Sequence, residues 1–156
     1  MKEKAALRPL TAAKAKRAVF IDFEGTRKDS PSLLGVYIAG RKSFSQTVIE
    51  QALYPAALYK SPKISWPVKP AGPAEALDKL RRVVESKRLR VFAWTTLEQR
   101  TILKLLKGFP ELREFWKGRV ENAIPYAKAW KRRVHPDMRL SRKKGRVLTR
   151  SRITRS

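Results

Sequence analysis

A short apolar segment that ends in two acids constrains this chain more than any other feature. Residues 18–23 read Ala-Val-Phe-Ile-Asp-Phe and are apolar at nearly every position, which is typical of a central strand covered on both faces. Gly25 follows and is expected to end the strand. Because alternate residues of a strand point to the same face, the carboxylates of Asp22 and Glu24 should project side by side. The segment therefore predicts an inner strand with an acidic pair at its end.

The rest of the chain predicts an α/β fold. Further strands are predicted over 33–39, 43–49, 90–94 and 119–122, and helices over 73–87, from 95 or 96 to about 108, 111–116 and 124–134. Short connections between the first three strands favour an antiparallel meander, to which parallel strands are added. Residues 50–72 are rich in proline and are expected to be irregular. This order predicts a mixed sheet flanked by helices.

The charge of the chain predicts a polyanionic partner. Its 156 residues contain 37 Lys and Arg against 13 Asp and Glu, a net charge of +24. Residues 1–17 carry a single acid and residues 138–156 carry none, so we expect a basic lead-in and a basic tail around one domain over 18–137. DNA or RNA is the expected partner, and a generally basic, solvated surface is the alternative.

Several basic and aromatic side chains are candidates for contacts with nucleic acid. The basic candidates are Arg27, Lys28, Arg132, Arg133, Arg142, Lys143 and Lys144. Trp66, Tyr59 and Trp130 are candidates for stacking on bases, although packing in the core is favoured for Trp94 and Trp130.

The composition also excludes some classes of protein. The chain has no cysteine, which excludes disulfides and thiolate metal sites. No apolar run approaches the roughly 20 residues of a membrane span, and the N-terminus lacks the apolar core of a secretory signal. A cytoplasmic protein without a membrane partner is therefore expected.

The spacing of Asp22 and Glu24 suits a divalent cation. Two carboxylates side by side repel each other unless a cation or a proton lies between them. Oxygen ligands of this kind suit Mg²⁺ or Mn²⁺, with water and phosphate oxygens completing the coordination. The alternative is that both acids are merely polar residues where a strand reaches solvent.

A family resemblance extends this interpretation. Residues 19–26 (Val-Phe-Ile-Asp-Phe-Glu-Gly-Thr), followed by 33–38, resemble the first motif of the DEDD-type 3′–5′ exonucleases of the ribonuclease H-like superfamily. The greatest similarity is to the predicted ribonuclease H-like domains found alone or fused to RecB-type nucleases. Residues 91–98 and 120–126 resemble the second and third segments, so the similarity covers roughly residues 18–137.

The resemblance implies a fold, an activity and a set of site residues. It implies a ribonuclease H-like sheet and a hydrolase that removes nucleotides from DNA or RNA with Mg²⁺ or Mn²⁺. Asp22, Glu24 and Glu98 would be catalytic, and the same three residues with Asn122 would bind the metal. Glu98 has an alternative role, as the fourth residue of a capping box that starts at Thr95.

The chain departs from the family pattern in its second half. Asn122 stands where the family has an aspartate, and the last acid of the family is missing, since Asp137 is the only acid after Glu121. A degenerate site, a truncated chain or completion by another residue would each account for this. His135 is a candidate general base by residue type, with a surface position as the alternative. The alternative function is an inactive nucleic-acid-binding protein with the same fold.

Overall fold

The computed structural model describes residues 8–25, 30–57, 65–136, 140–143 and 146–149. These residues belong to two units. One unit is Thr11–Ala123, and the other combines residues near the N-terminus with those from Ile124 onward.

A six-stranded mixed sheet forms the first unit. Its strands are β1 (Ala18–Glu24), β2 (Leu33–Ile38), β3 (Ser43–Val48), β4 (Val68–Pro70), β5 (Arg90–Ala93) and β6 (Val120–Asn122). They lie in the order β4-β3-β2-β1-β5-β6. β1, β2 and β3 form an antiparallel meander, whereas β5 is parallel to β1 and β6 is parallel to β5. The predicted mixed sheet is confirmed, with β1 in the interior as its apolar sequence requires.

Helices cover the face of the sheet that carries Val19 and Ile21. The helices of this unit are α1 (Ala12–Lys16), α2 (Tyr54–Ala57), α3 (Pro73–Ser86), α4 (Leu97–Leu105) and α5 (Pro110–Trp116). α3 begins with proline in its first turn and buries apolar residues at helical spacing, including Leu77, Leu80 and Val84. Trp116 of α5 is fully buried in the same core. This packing fixes α4 near the carboxyl end of β1.

One strand lies in a region that was expected to be irregular. β4 pairs in parallel with β3, with Gln46 opposite Val68 and Val48 opposite Pro70. The prediction was wrong here because the prolines of 50–72 indicated a loop. An edge strand tolerates proline, since only one of its sides must donate to the sheet.

The second unit contains a helix and a hairpin. α6 (Ile124–Val134) is the predicted helix. β7 (Leu140–Lys143) and β8 (Arg146–Thr149) form an antiparallel pair in which Lys143 faces Arg146. The predicted basic tail over 138–156 therefore contains a strand pair at these eight residues.

Candidate functional site

The carboxyl ends of three strands meet at one edge of the sheet. Ile21 of β1 is the neighbour of Ala93 of β5, and Ala93 is the neighbour of Asn122 of β6. Asp22 lies one residue beyond Ile21 on β1, and Glu24 lies three residues beyond it. Side chains at the carboxyl ends of parallel strands converge in many α/β proteins to form a binding site. The register therefore brings the two predicted acids and Asn122 to the same edge.

Asp22 and Glu24 lie on the open face of β1. Both side chains are exposed, whereas Ile21 and Phe23, which alternate with them, contact the core. Gly35 of β2 lies directly opposite Asp22. Residues directly opposite in an antiparallel pair have neighbouring side chains, and Gly35 has none. The Phe44 ring instead lies 3.5 Å from the position that a Gly35 Cβ would take, so an aromatic ring borders this flank of Asp22. The predicted side-by-side projection of the acids is confirmed.

The pKa of Asp22 is raised above its ordinary value. The largest cause is the protein that surrounds part of this carboxyl and removes water from it, and the negative charges of Glu24 and Glu98 add to the effect. The backbone N–H of Phe23 opposes the shift by donating to the carboxylate. Within the part of the chain that the structure describes, neither Asp22 nor Glu24 forms an ion pair with a Lys or Arg. The pair therefore carries uncompensated negative charge, which fits a bound cation.

Glu98 is the buried acid of the described residues, with only 7% of its surface exposed. It lies in the first turn of α4, and its Oε2 accepts a hydrogen bond from the Thr95 hydroxyl at 2.8 Å. The same hydroxyl oxygen accepts from the Leu97 N–H at 3.0 Å. Glu98 thus bonds to the side chain of Thr95 instead of its backbone N–H, which a capping box would require. The carboxylate is held in place and faces the same edge as Asp22.

Gln99, the next residue of α4, anchors the helix to the sheet. Its side-chain N–H donates to the Trp116 carbonyl at 2.9 Å, and its side-chain carbonyl accepts from the Val120 N–H at 3.0 Å. One side chain therefore links α4, the end of α5 and the start of β6. This link fixes the turn that carries Glu98.

The two polar residues of β6 differ in their surroundings. The Arg90 Nε donates to the Glu121 carboxylate at 2.8 Å and a second N–H of the same guanidinium donates to its other oxygen. Glu121 is thereby engaged in a bidentate ion pair across β5 and β6. Asn122 is half-buried and alternates with Glu121, so it leaves the sheet on the face opposite to Asp22.

No complete metal-ligand set is formed by the residues that the structure describes. Among them, no three acidic, histidine or cysteine side chains lie close enough together to hold a metal ion. Asp22, Glu24 and Glu98 share one edge, and the charges of Glu24 and Glu98 both act on Asp22. The structure brings them together as neighbours without closing them around a common point.

The predicted nucleic-acid contacts are only partly described. Arg132 and Arg133 are exposed in the last turn of α6. Arg142 and Lys143 belong to β7. Arg27, Lys28, Lys144 and Tyr59 lie outside the described residues.

The expected core positions of two tryptophans were wrong. Trp94 is 41% exposed because it follows the last residue of β5, and Trp130 of α6 is 43% exposed. Trp130 instead packs edge-on against His135, with 5.0 Å between the ring centroids. His135 is itself exposed, so its predicted surface position is confirmed.

A cleft of about 600 Å³ lies between α4 and the segment that follows β1. We call it the α4 cleft. Glu98 lines it, as do Phe23, Leu97, Arg100 and Lys104. Its lining residues come from segments far apart in the chain, so it was not predicted. The available signal was the spacing of Arg100 and Lys104, which puts two cations on one face of a helix.

Two comparisons of the chain with known proteins found no match. No protein-family model matches it, and no curated protein matches it significantly. Among the helices described, none combines the length and apolar character needed to cross a membrane.

Proposed function

We propose that this chain is a divalent-metal-dependent nuclease of the ribonuclease H-like class that removes nucleotides from the 3′ end of DNA or RNA. One observation carries the proposal. Asp22 and Glu24 lie together at the carboxyl edge of parallel strands, beside the buried Glu98, and the pKa of Asp22 is raised by desolvation and by both acidic neighbours. Such an accumulation of negative charge in a chain of net charge +24 favours a bound cation.

The order of the strands supports the choice of class. The resemblance described above implies a meander of three strands continued by parallel strands from its first member. The order β3-β2-β1-β5-β6 agrees with this expectation, and β4 adds a further strand at the edge. The acids lie where β1 ends, which is the position that the resemblance gives them.

Several residues at the carboxyl edge of the sheet would bind the metal. Asp22 and Glu24 would be its main ligands, with Glu98 as the third. Asn122, predicted as a ligand, leaves the opposite face of the sheet and is not included in this set. Mg²⁺ or Mn²⁺, when bound, supplies an activated water and charge stabilisation for phosphodiester hydrolysis. Both acids are exposed, so a substrate phosphate can approach the metal from solvent, and the Thr95 hydroxyl keeps the Glu98 carboxylate facing the edge.

Cleavage of end-labelled strands tests the proposal. Single- and double-stranded DNA and RNA, labelled at the 5′ end, would be incubated with Mn²⁺, with Mg²⁺ or with EDTA. We expect a ladder of shortened products with either metal and none with EDTA. Asp22→Asn should lower the rate by more than about 100-fold, because a first ligand matters more than the outer-shell partners that are typically worth 10- to 100-fold.

The matched control is Glu75→Gln. It makes the same change of charge on an exposed residue of α3 that is not among the groups acting on Asp22, and should retain the wild-type rate. Absence of cleavage under all conditions, or equal loss in both variants, would contradict the proposal.

One observation favours a second function, binding of nucleic acid without catalysis. No three candidate ligands in the described part of the chain lie close enough to share a metal ion. In this alternative the positive charge of the chain holds phosphates, and affinity falls linearly on a log–log plot against salt. A chain that binds labelled RNA or DNA in EDTA, with this slope, and never shortens it has the second function. Removal of residues 138–156 should reduce the slope if their basic residues contact phosphates.

A further inference from the structure

We infer that the amino edge of the sheet, at the other end of β1 from the acids, binds a chain of phosphate groups. The inference goes beyond the proposed nuclease function, since it requires neither a metal nor cleavage and uses none of the residues at the acidic edge. At a rise of about 3.3 Å per strand residue, Arg17 lies roughly 16 Å from Asp22. A ligand held here is therefore separate from one that reacts at Asp22.

Three segments that are far apart in the chain meet at this edge. Arg17 directly precedes β1, and its carbonyl accepts a hydrogen bond at 3.0 Å from the N–H of Arg90, the first residue of β5. Ile38 pairs with both Val19 and Ser43, so the turn between β2 and β3 lies at the same edge. The sheet thereby collects the exposed cations of all three segments. We call this set the basic edge: Lys14, Lys16, Arg17, Arg41, Lys42, Lys87 and Arg88.

A backbone contact holds two of these segments against each other. A Cβ added at Gly40 would lie 2.6 Å from the Lys16 carbonyl oxygen, so only glycine fits at this position. The end of α1 is thereby fixed beside the turn that carries Arg41 and Lys42.

The charge of the basic edge is not compensated within the described part of the chain. None of its seven cations forms an ion pair there. The acid nearest to them along the sequence is Glu85, and its carboxylate is paired with Arg81. Arg90 is left out of the set because it is paired with Glu121. Like charges that are not paired repel each other, and a bound polyanion removes this repulsion.

The backbone conformation gives a second, independent indication. Lys42 and Arg88 have φ values of 50° and 49°, and they are the non-glycine residues with positive φ in the described part of the chain. This left-handed conformation favours glycine and costs free energy in a residue with a Cβ. Both exceptions lie at the basic edge and both carry a cation. Strained positions concentrate at functional sites, so cations kept where glycine would be less strained support a binding surface.

The residues of the basic edge suit phosphate better than a protein or a lipid. Protein interfaces depend on buried aromatic or apolar anchors, and helices on membrane surfaces depend on an inserted apolar face. Large apolar side chains are exposed in this unit, such as Tyr37, Trp66 and Phe109, but none belongs to the described segments that form the basic edge. Cations without such an anchor suit a ligand held by charge, and arginine binds phosphate through paired hydrogen bonds. The backbone of nucleic acid and inorganic polyphosphate share this chemistry.

Fluorescence anisotropy of a labelled DNA duplex, with the full chain in EDTA, tests the inference. We expect the affinity to fall steeply with salt. Arg41→Gln/Lys42→Gln should reduce the slope of log K against log salt concentration by about 1.8, since each lost phosphate contact removes about 0.9.

The matched control is Lys79→Gln/Lys107→Gln, which removes the same charge from exposed positions in α3 and after α4. It should keep the wild-type slope. An equal reduction in both double variants would overturn the inference, because binding would then follow net charge alone. An unchanged slope in Arg41→Gln/Lys42→Gln would overturn it as well.

Replacement by glycine separates binding from folding. Lys42→Gly and Arg88→Gly remove the left-handed strain, so neither should lower the Tm, while each should reduce the slope by about 0.9. Wild-type slopes in both glycine variants would contradict a role of these cations in binding.

Competition distinguishes the sources of phosphate. Inorganic polyphosphate that displaces the duplex shows that the basic edge accepts any phosphate chain, and polyphosphate that does not displace it shows a requirement for the nucleic-acid backbone. Stronger displacement by poly-glutamate than by polyphosphate would overturn the assignment of phosphate. Asp22→Asn should bind the duplex like the wild type, so failure of the nuclease proposal would leave this result unchanged.

Discussion

The acids on α3 and those at the end of β1 experience opposite electrostatic surroundings within one unit. Asp78 of α3 accepts hydrogen bonds from Arg81 and Arg82, and these bonds lower the pKa of its carboxyl. The pKa of Asp22 is raised by desolvation and by its acidic neighbours. The chain has a large excess of Lys and Arg. Among the described residues, Asp78 nevertheless forms ion pairs with two arginines, whereas Asp22 forms none.

Glu121 sharpens the contrast, because it shares a sheet face with Asp22. The register pairs Phe20 with Phe92 and Phe92 with Glu121, and side chains in register lie on one face. Glu121 accepts hydrogen bonds from two nitrogens of the Arg90 guanidinium, which also lies over the Phe92 ring at 4.9 Å. The difference shows that unpaired acids on this face are a local feature of the β1 end. Unpaired acids at this position lower the stability of the fold unless a cation binds to them.

The largest expected effect is stabilisation of the wild type by metal. A ligand that binds only the folded state raises the free energy of unfolding by about 2.7 kcal/mol at a concentration of 100 times its Kd. We therefore expect Mn²⁺ to raise the Tm of the wild type by several degrees and that of Asp22→Asn by much less. Thermal unfolding with Mn²⁺ or EDTA measures both. Equal shifts in the two proteins would show that the metal binds elsewhere.

Loss of the Arg90 partner should have the next largest effect. Glu121→Gln leaves the half-buried guanidinium without its bidentate acceptor, which should lower the free energy of unfolding by about 1 to 2 kcal/mol. Glu24→Gln should cause no such loss, since Glu24 forms no ion pair within the described residues. Chemical denaturation of both variants checks the comparison. Destabilisation of the two variants to the same extent would remove the distinction between a paired and an unpaired acid.

The smallest expected effects are those of Asp22→Asn and Asp78→Asn on the free energy of unfolding, which should have opposite signs and depend on pH. The folded state raises the pKa of Asp22 above its ordinary value of 3.8, so ionisation of Asp22 opposes folding, and Asp22→Asn should be more stable than the wild type at neutral pH. The folded state lowers the pKa of Asp78, so its ionisation favours folding, and Asp78→Asn should be slightly less stable. The gain in Asp22→Asn should disappear below pH 3.8, where both states are protonated.

The loss in Asp78→Asn should begin to shrink near the same pH and vanish only below the lowered pKa of Asp78. Thermal unfolding of both variants between pH 7 and acid, in EDTA and low salt, measures these differences. Two variants that shift in the same direction at neutral pH would contradict the electrostatic interpretation.

Local patterns made most of the fold predictable. The apolar run of β1 indicated an interior strand, and the spacing of Leu77, Leu80 and Val84 indicated α3. β4 was missed because its pairing with β3 is a tertiary contact and its prolines resemble those of a loop. The exposed Trp94 was missed because its size favours burial, whereas its position just after β5 decides its exposure.

The candidate site was predictable only in part. Asp22 and Glu24 follow from strand alternation, and Glu98 follows from its place in the first turn of a helix. Its bond to the Thr95 hydroxyl and the bridge made by Gln99 depend on how α4 packs, which no spacing reveals. The α4 cleft depends on the distance between a helix and a loop that are roughly 70 residues apart in the chain.

The pairing of β1 with β5 also bears on how the protein folds. β1, β2 and β3 can pair through short connections, whereas Val19 meets Val91 only after about 70 intervening residues have been brought into a closed loop. Closure of long loops is entropically costly and slows folding. We expect the meander to form early and the β1–β5 contact late. Asp22 would then approach Glu98 only in the last stage, so the repulsion between these carboxylates would not hinder the steps that precede it.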